Sequence, residues 1–399
     1  MVGSSWLSSN YTNSYILGSH FRNDLIETLN VANQISWTGT GSGASDWAMM
    51  SYFGRLSYNF DGKYLVTANL RSDGSSKLHP DTRWSVFPSI SAAWRISAED
   101  FMKDLTWIND LKIRGGWGQT GNQDGIGDYA YLQRYNGNRS PWFEEGKEHD
   151  LASISPGNLR TRDLGWEKIT QTGVGIDFTG IDNRLTVNLD YYFKKTSDML
   201  MWVSLPGSGN VSQIQRNEGE MTNRGFEANI NADILRGALE WNSGFNISFN
   251  RNKITEIALK PVYYDAKTSD YVNDYVVKNE PGRPVGGFFG YVSQGVDPET
   301  GNMIYADLNN DGKISVTDRT YIGDPNPNFT FGFTNNLSYK GFNLNVFIQG
   351  SQGNDIYNVS RMEMEGMYDG KNQSTRVLQR WRVPGQVTDV PKAGYDMKN

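Results

Sequence analysis

Cysteine is absent from all 399 residues. Disulfide scaffolds, cysteine zinc sites and cysteine nucleophiles are therefore excluded. The lack also suits a chain that crosses an oxidising periplasm, where a stray thiol is a hazard. Histidine is almost as scarce: the only three, His20, His79 and His149, lie far apart with no metal-binding spacing. No apolar run is long enough for a transmembrane helix. The opening MVGSSWLSSNYTNS has neither the basic region nor the apolar core of a signal peptide. Positive charge is not in excess either. The net charge is -6, so no nucleic-acid partner is expected.

Aliphatic residues are also few, and the hydrophobic share is only 37%. What is present in quantity is aromatic residues, 13% of the chain, and 43 glycines. Rich aromatics, many glycines and strong polarity together point to an all-β protein with many turns.

Period two is the dominant pattern. In RLTVNLDYYFK, Leu185, Val187, Leu189, Tyr191 and Phe193 oppose Thr186, Asn188, Asp190, Tyr192 and Lys194. The stretches KYLVTANLR, RGFEANINADIL, ALEWNSGFNISFN and GFNLNVFIQG alternate in the same way. A one-sided soluble sheet gives such alternation too. Three features favour a membrane barrel. The strands approach the roughly 9–11 residues that cross a bilayer at a tilt. Their apolar faces end in Tyr, Trp or Phe, like an interfacial girdle. Their polar faces carry Asn, Asp, Glu and Arg throughout, as a wet lumen requires.

The connections point the same way. Tight turns at Asp61-Gly62, TGIDN, Arg236-Gly237 and Lys340-Gly341 alternate with long loops at 119–165, 195–221 and 251–326. Outer-membrane barrels sort short periplasmic turns and long outer loops in this manner. The predicted fold is an all-β, antiparallel transmembrane β-barrel segment with short periplasmic turns and long extracellular loops. Residues 1–49 are expected to be an extracellular loop region preceding a strand. Residues 50–350 are expected to hold the barrel strands, and 351–399 an extracellular loop that stops before the last strands. SAEDFMKDLTWIND is expected to hold a helical turn.

Several phrases resemble one family. DGKYLVTANLRSDGSSKL, RWSVFPSISAAWRISAEDF, LKIRGGWGQTGNQDGIGDY, NEGEMTNRGFEANI, DLNNDGKISVTDRTYIGDPNPNFTFGF and YKGFNLNVFIQGSQGNDIYN are similar to the C-terminal barrel half of SusC/RagA-type TonB-dependent outer-membrane transporters. The likeness covers nearly the whole chain, in order. It implies an energised importer of bulky nutrients, glycans or peptides, in the cell outer membrane and in contact with its lipid. It also implies a SusD-like lipoprotein lid, and a TonB complex that draws on the proton-motive force through an N-terminal region. No plug or TonB-contacting segment is recognised here, and Met1 reads as an internal methionine of a longer reading frame.

DLNNDGKISVTD, from Asp307 to Asp318, has the ligand spacing of an EF-hand calcium loop. Asp307, Asn309 and Asp311 would bind by side chain, Lys313 by its carbonyl, Ser315 directly or through water, and Asp318 at the twelfth place. Gly312 would supply the sharp turn, and Ile314 is placed to pack inward. Asp in place of Glu at position twelve resembles the dockerin version, and implies a weak Ca²⁺ or Mg²⁺ site. The flanks read as extended chain with prolines, so a loop stiffener is expected rather than a sensor. The same residues also form an Asx-turn loop without metal.

Other motifs carry less. GWGQTG at 116–121 has the letters of a dinucleotide fingerprint, but no helix is expected after it. The acidic group Glu144, Glu145, Glu148 and Asp150 reads as a solvated patch rather than a glycosidase pair. Trp142, Phe143, Trp202, Tyr263, Tyr264 and Phe289 are loop aromatics that could stack on sugars or pack loops. GRPVGGFFGYVSQG reads as a packed loop hairpin. No nucleophile–base or metal–histidine set supports an enzyme. The alternative function is a calcium-stabilised secreted β protein or adhesin that binds glycans without transport.

Overall fold

The computed structural model describes residues 1–21, 28–144, 147–205, 213–257, 262–267, 273–368 and 370–394; at 37–39, 136–144, 147–153, 155, 262–267 and 273–274 it describes the backbone alone. Eleven strands form one sheet, hydrogen-bonded in chain order. They are β1 (Val2–Phe21), β2 (Ala32–Phe60), β3 (Tyr64–Ser75), β4 (Trp84–Arg95), β5 (Ile108–Asn122), β6 (Glu167–Gly180), β7 (Leu185–Ser204), β8 (Gln213–Leu235), β9 (Leu239–Ile257), β10 (Phe329–Tyr339) and β11 (Phe342–Gln352). Among the described residues no helix is long and apolar enough to cross a membrane.

The alternation becomes two chemically distinct faces. Across β2 and β3, Phe60 pairs with Tyr64, Tyr58 with Val66 and Gly54 with Leu70, and these large side chains are all exposed. The pairs between them are Arg55 with Asn69, Ser57 with Thr67 and Ser51 with Asp73. Across β9, β10 and β11 the apolar pairs are Trp241 with Leu337 and Phe245 with Phe333, then Leu337 with Leu344 and Phe333 with Ile348. Asn335 shares that apolar face, and the Trp241 indole N–H donates to its Oδ1 at 3.0 Å. A polar atom facing an apolar medium needs such a partner. An exposed apolar face of this extent marks an interaction surface.

Every second connection from β2 to β11 is tight, except that between β4 and β5, which spans 96–107. The β2–β3 turn has positive φ at Asp61 and Gly62, and the β10–β11 turn has it at Lys340 and Gly341. These are the left-handed positions that match a hairpin's twist. The predicted helical turn after β4 is two short 3-10 helices, Ile96–Ala98 and Asp100–Met102.

Three expectations need correction. Residues 1–49, read as a loop region, form β1 and most of β2 up to Met49. Their faces are rich in Ser, Asn, Thr and Tyr on both sides. Backbone pairing from Val2 to Phe21 therefore builds strands that leave little hydrophobic periodicity. The loop read at 195–221 is mostly strand: β7 runs to Ser204 and β8 starts at Gln213. Cross-strand charge pairs, such as Lys195 with Glu220 at 2.7 Å, do there what apolar alternation does elsewhere. The 119–165 loop contains a hairpin of its own, Tyr135–Glu144 with Lys147–Pro156.

The chain divides into two compact units. The first comprises 1–92, 116–171 and 196–219. Its core is Leu78, Phe87, Ile126, Leu164 and Trp166. The second comprises 93–115, 172–195 and 220–399. Within it the 258–328 connection folds into strands Val262–Lys267, Asn273–Asn279, Phe288–Gly290 and Thr320–Gly323, which make a small sheet. After β11 the described residues form an α-helix, Val359–Glu365, a 3-10 helix, Thr375–Gln379, and a cluster of Met367, Val377 and Val390.

Candidate functional site: the polar sheet face and the 307–318 loop

The polar face is a connected charge lattice. In the second unit Arg114 of β5 reaches two strands: its Nε donates to Asp177 at 3.1 Å and its NH2 group to Asp190 at 2.7 Å. Lys112 pairs with the same Asp177 at 2.9 Å, and Asn188 donates to it at 3.0 Å. Glycine at 175 makes this possible, because a Cβ there would lie 2.8 Å from the Arg114 guanidinium carbon. In the first unit Arg71 closes on both oxygens of Asp73 and donates to Ser51. The alternation in RLTVNLDYYFK placed Asn188 and Asp190 on the polar face but paired neither, because the pairing depends on register between distant strands.

The 307–318 loop has the turn its spacing requires. Gly312 has φ +78°. Asp307 accepts from the Gly312 N–H at 2.8 Å, Asn309 from the Asp311 N–H at 2.9 Å, and Asp311 from the Lys313 N–H at 2.8 Å. The oxygens of Asp307, Asn309 and Asp311 thus gather around one run of backbone. No EF-hand helices flank them. Strand Met303–Tyr305 precedes the loop and strand Thr320–Gly323 follows it.

Asp318 has a different role from the predicted one. It is fully buried. Its carboxylate accepts from the backbone N–H groups of Ser315 at 2.8 Å, Leu308 at 2.9 Å and Asn309 at 3.4 Å. With Ser315 it also forms a capping box on the short helix Val316–Asp318. Among the described residues no group of three or more His, Asp or Glu is arranged to hold a metal ion. Ile314, placed inward from sequence, is 46% exposed, because the loop closes over Asp318 instead.

The Ser315 N–H first, then those of Asn309 and Leu308, hold the Asp318 carboxyl below the usual carboxylate range, against the opposing effect of burial. A depressed folded pKa stabilises above the unfolded pKa and is lost as pH falls through the folded value. The amides of Leu308, Asn309 and Ser315 are therefore expected to stay protected from hydrogen exchange at neutral pH and to open only below roughly pH 4. Asp318→Asn is expected to speed their exchange by about tenfold or more at neutral pH and to flatten the pH dependence. Equal exchange in both proteins would show that the carboxylate does not latch the loop.

The remaining candidates separate cleanly. GWGQTG lies inside β5, as strand rather than loop or helix start. His79 pairs with Asp81 at 3.2 Å, and His20 sits beside Ser19. Phe289 packs edge-on against Tyr321 at 5.6 Å and under Lys278 and Arg319, so it holds the small sheet together. Strand Phe288–Gly290 within GRPVGGFFGYVSQG is part of that sheet. Trp202 is 64% exposed. The side chains of Trp142, Phe143, Glu144, Glu145, Glu148, His149, Asp150, Tyr263 and Tyr264 lie outside the described residues.

A meander of long strands, apolar and exposed on one face and charged on the other, defines a membrane barrel wall. The chain belongs to the family described as TonB dependent receptor-like, beta-barrel, which matches residues 2–395. It is 31% identical over 388 residues to TonB-dependent receptor P3 of Formosa agariphila, covering 91% of this chain and 38% of that protein. It is 35% identical over 319 residues to TonB-dependent receptor SusC of Bacteroides thetaiotaomicron, covering 77% and 32%. Its fold matches a solved structure of the RagAB peptide transporter with a TM-score of 0.82, 24% identity and coverage of 100% and 43%. The chain thus spans well under half the length of these relatives. The SusC/RagA resemblance seen in the sequence is borne out.

Proposed function

We propose that this chain forms barrel wall in a TonB-dependent importer of the outer membrane, moving bulky nutrients, oligosaccharides or peptides. A SusD-like lipoprotein would cover it, and an inner-membrane TonB complex would supply the energy of the proton-motive force. The observation that carries this reading is the two-faced sheet: an exposed apolar face suited to lipid, backed by the Arg114–Asp177–Asp190 lattice suited to water. SusC and the RagAB peptide transporter, as relatives in sequence and fold, favour it over a secreted adhesin.

The test is fractionation of source cells with an antibody to 119–165, joined to uptake. The protein is expected in the outer-membrane fraction, and cells lacking it should lose uptake of a labelled oligosaccharide or peptide while keeping uptake of the monomer. A protein found only in soluble fractions, or one that binds glycans with no effect on uptake, would overturn the reading.

We infer further that the 307–318 loop holds a divalent cation, Ca²⁺ or Mg²⁺. Support comes from the ligand spacing, the Gly312 turn and the gathered oxygens of Asp307, Asn309 and Asp311, with the Lys313 carbonyl and Ser315 hydroxyl completing a hard-oxygen set. Asp318, spent on backbone N–H groups, would hold the loop shut rather than bind directly. Two carboxylates in place of three imply weak affinity. Calcium titration is expected to slow hydrogen exchange across 303–323, and Asp307→Asn with Asp311→Asn should abolish that response. Exchange indifferent to millimolar calcium and magnesium would count against the site.

A further inference from the structure

Three phenylalanines mark one height on the exposed apolar face of the second unit. Phe226 of β8 and Phe249 of β9 lie 6.5 Å apart, and Phe249 and Phe329 of β10 lie 5.7 Å apart. Phe249 stands ten residues beyond Leu239, which pairs with Tyr339 beside the tight turns. That is about 34 Å along the strand. At a barrel tilt of about 35–45° it covers about 24–28 Å of depth, the height of an apolar band. The phenylalanine row is therefore the rim of that band at the long-loop end.

Cations follow directly beyond the rim. Arg224, Arg251 and Lys253 are all exposed. Parity sets their side. On the polar face Tyr192 and Asn223 both bond to Asn250, at 3.2 and 3.5 Å. Positions 224, 251 and 253 therefore project from the opposite face, with Phe226 and Phe249. Thr255 donates to Glu220 at 2.8 Å, which sets β8 against β9 and brings Arg224 level with Arg251. Arg251 is positioned by neutral acceptors: the Pro327 and Asn328 carbonyls, both at 3.2 Å, and Asn328 Oδ1 at 2.9 Å. Among the described residues none of the three cations has a carboxylate partner. Glu220 shares their face, but it is closed on Lys195 at 2.7 Å and so offsets a fourth cation rather than these.

Arg251 is two residues past Phe249, about 7 Å along the strand. That is the height at which headgroups sit above the acyl chains. Clusters of Lys and Arg beside a bilayer attract anionic headgroups, and a guanidinium matches a phosphate with two parallel hydrogen bonds. A lipid satisfies both halves of this surface at once: its chains lie against the phenylalanine row and its phosphate reaches the cations. A soluble anion would leave the rings bare.

We propose that Arg224, Arg251 and Lys253 bind the phosphate of an anionic lipid in the leaflet at the long-loop end. The site rests on the barrel-wall reading and adds a lipid class to it.

The experiment is native mass spectrometry of the protein purified in a neutral detergent. The probes are diphosphoryl lipid A, the same lipid with its phosphates removed, phosphatidylcholine and inorganic phosphate. The phosphorylated lipid is expected to bind about tenfold or more tightly than its dephosphorylated form or phosphatidylcholine. Arg224→Gln with Lys253→Gln removes two cations that hold no carboxylate, and should weaken it about twentyfold or more, at about fivefold per charge. Adding Arg251→Gln should bring the loss to about a hundredfold. Glu220→Gln, which frees Lys195, should tighten binding about fivefold. Equal binding of the dephosphorylated lipid, or no change in the double variant, overturns the site while leaving a protein that needs detergent as a barrel wall. Displacement of the lipid by micromolar inorganic phosphate would assign the cations to a soluble anion and also overturn it. A protein that is soluble without detergent would overturn the site and the barrel wall together.

Discussion

Leu56→Arg is expected to destabilise the protein in a bilayer by about 2–4 kcal/mol, the cost of a cation on a barrel's lipid face near the midplane. Leu56 is 73% exposed and shares its face with Tyr52, Tyr58 and Phe60. Phe60 and Tyr64 close that face at the β2–β3 turn. Leu56 lies four residues further in, about 13 Å along the strand, which is the middle of an apolar band about 25 Å tall. Phe60→Arg, at the rim, is expected to cost only about 0–1 kcal/mol, because the side chain reaches water. Urea titration of the two variants refolded in lipid vesicles measures the difference. Equal costs would mean that the exposed face does not sit in lipid, and would return the soluble sheet to contention. Arg55 on the adjoining polar face shows that strand β2 itself tolerates arginine, so a loss at position 56 reports the medium.

The same contrast between positions 55 and 56 explains what was readable from the sequence. Where one face meets an apolar medium, period two is enforced residue by residue, and the alternation in KYLVTANLR, ALEWNSGFNISFN and GFNLNVFIQG fell on β3, β9 and β11. Their turns were readable because Asp61-Gly62 and Lys340-Gly341 need positive φ, which few residue types accept. Where both faces are polar, nothing enforces the period. The β1–β2 hairpin and the ends of β7 and β8 were therefore read as loops. The 307–318 loop was found by its spacing, yet the buried end of Asp318 was not. Spacing names an oxygen but not whether a metal or a backbone N–H takes it. The grouping of Gln123 with Met49, Phe87 and Trp166 carried no sequence signal, because the fold brings them together from elsewhere in the chain.

Leu78→Ala is expected to cost about 2–5 kcal/mol, and to do so in the loops rather than in the sheet. Leu78 is fully buried against Ile126, Leu164, Trp166 and Phe87. These come from the β3–β4 connection, from the beginning and end of the β5–β6 connection, and from β4. Polar ties brace the same cluster: Lys77 reaches the Ile126 carbonyl and Asp128, both at 3.2 Å, Thr82 donates to the Leu164 carbonyl, and the Trp166 indole N–H donates to that of Arg83. Neighbours held by such bonds have little freedom to collapse into a void, which puts the cost in the upper part of the range. Leu78→Met, which keeps the volume, should cost less than about 1.5 kcal/mol. Limited proteolysis is expected to cut the alanine variant within 123–166 while its strands remain in the detergent micelle. Gln123 stands at the start of that connection, and its carbonyl accepts from the Ile126 N–H at 2.9 Å. A variant that keeps native protease resistance would show that the loops are held by their polar ties alone and that the leucine cluster is not their anchor.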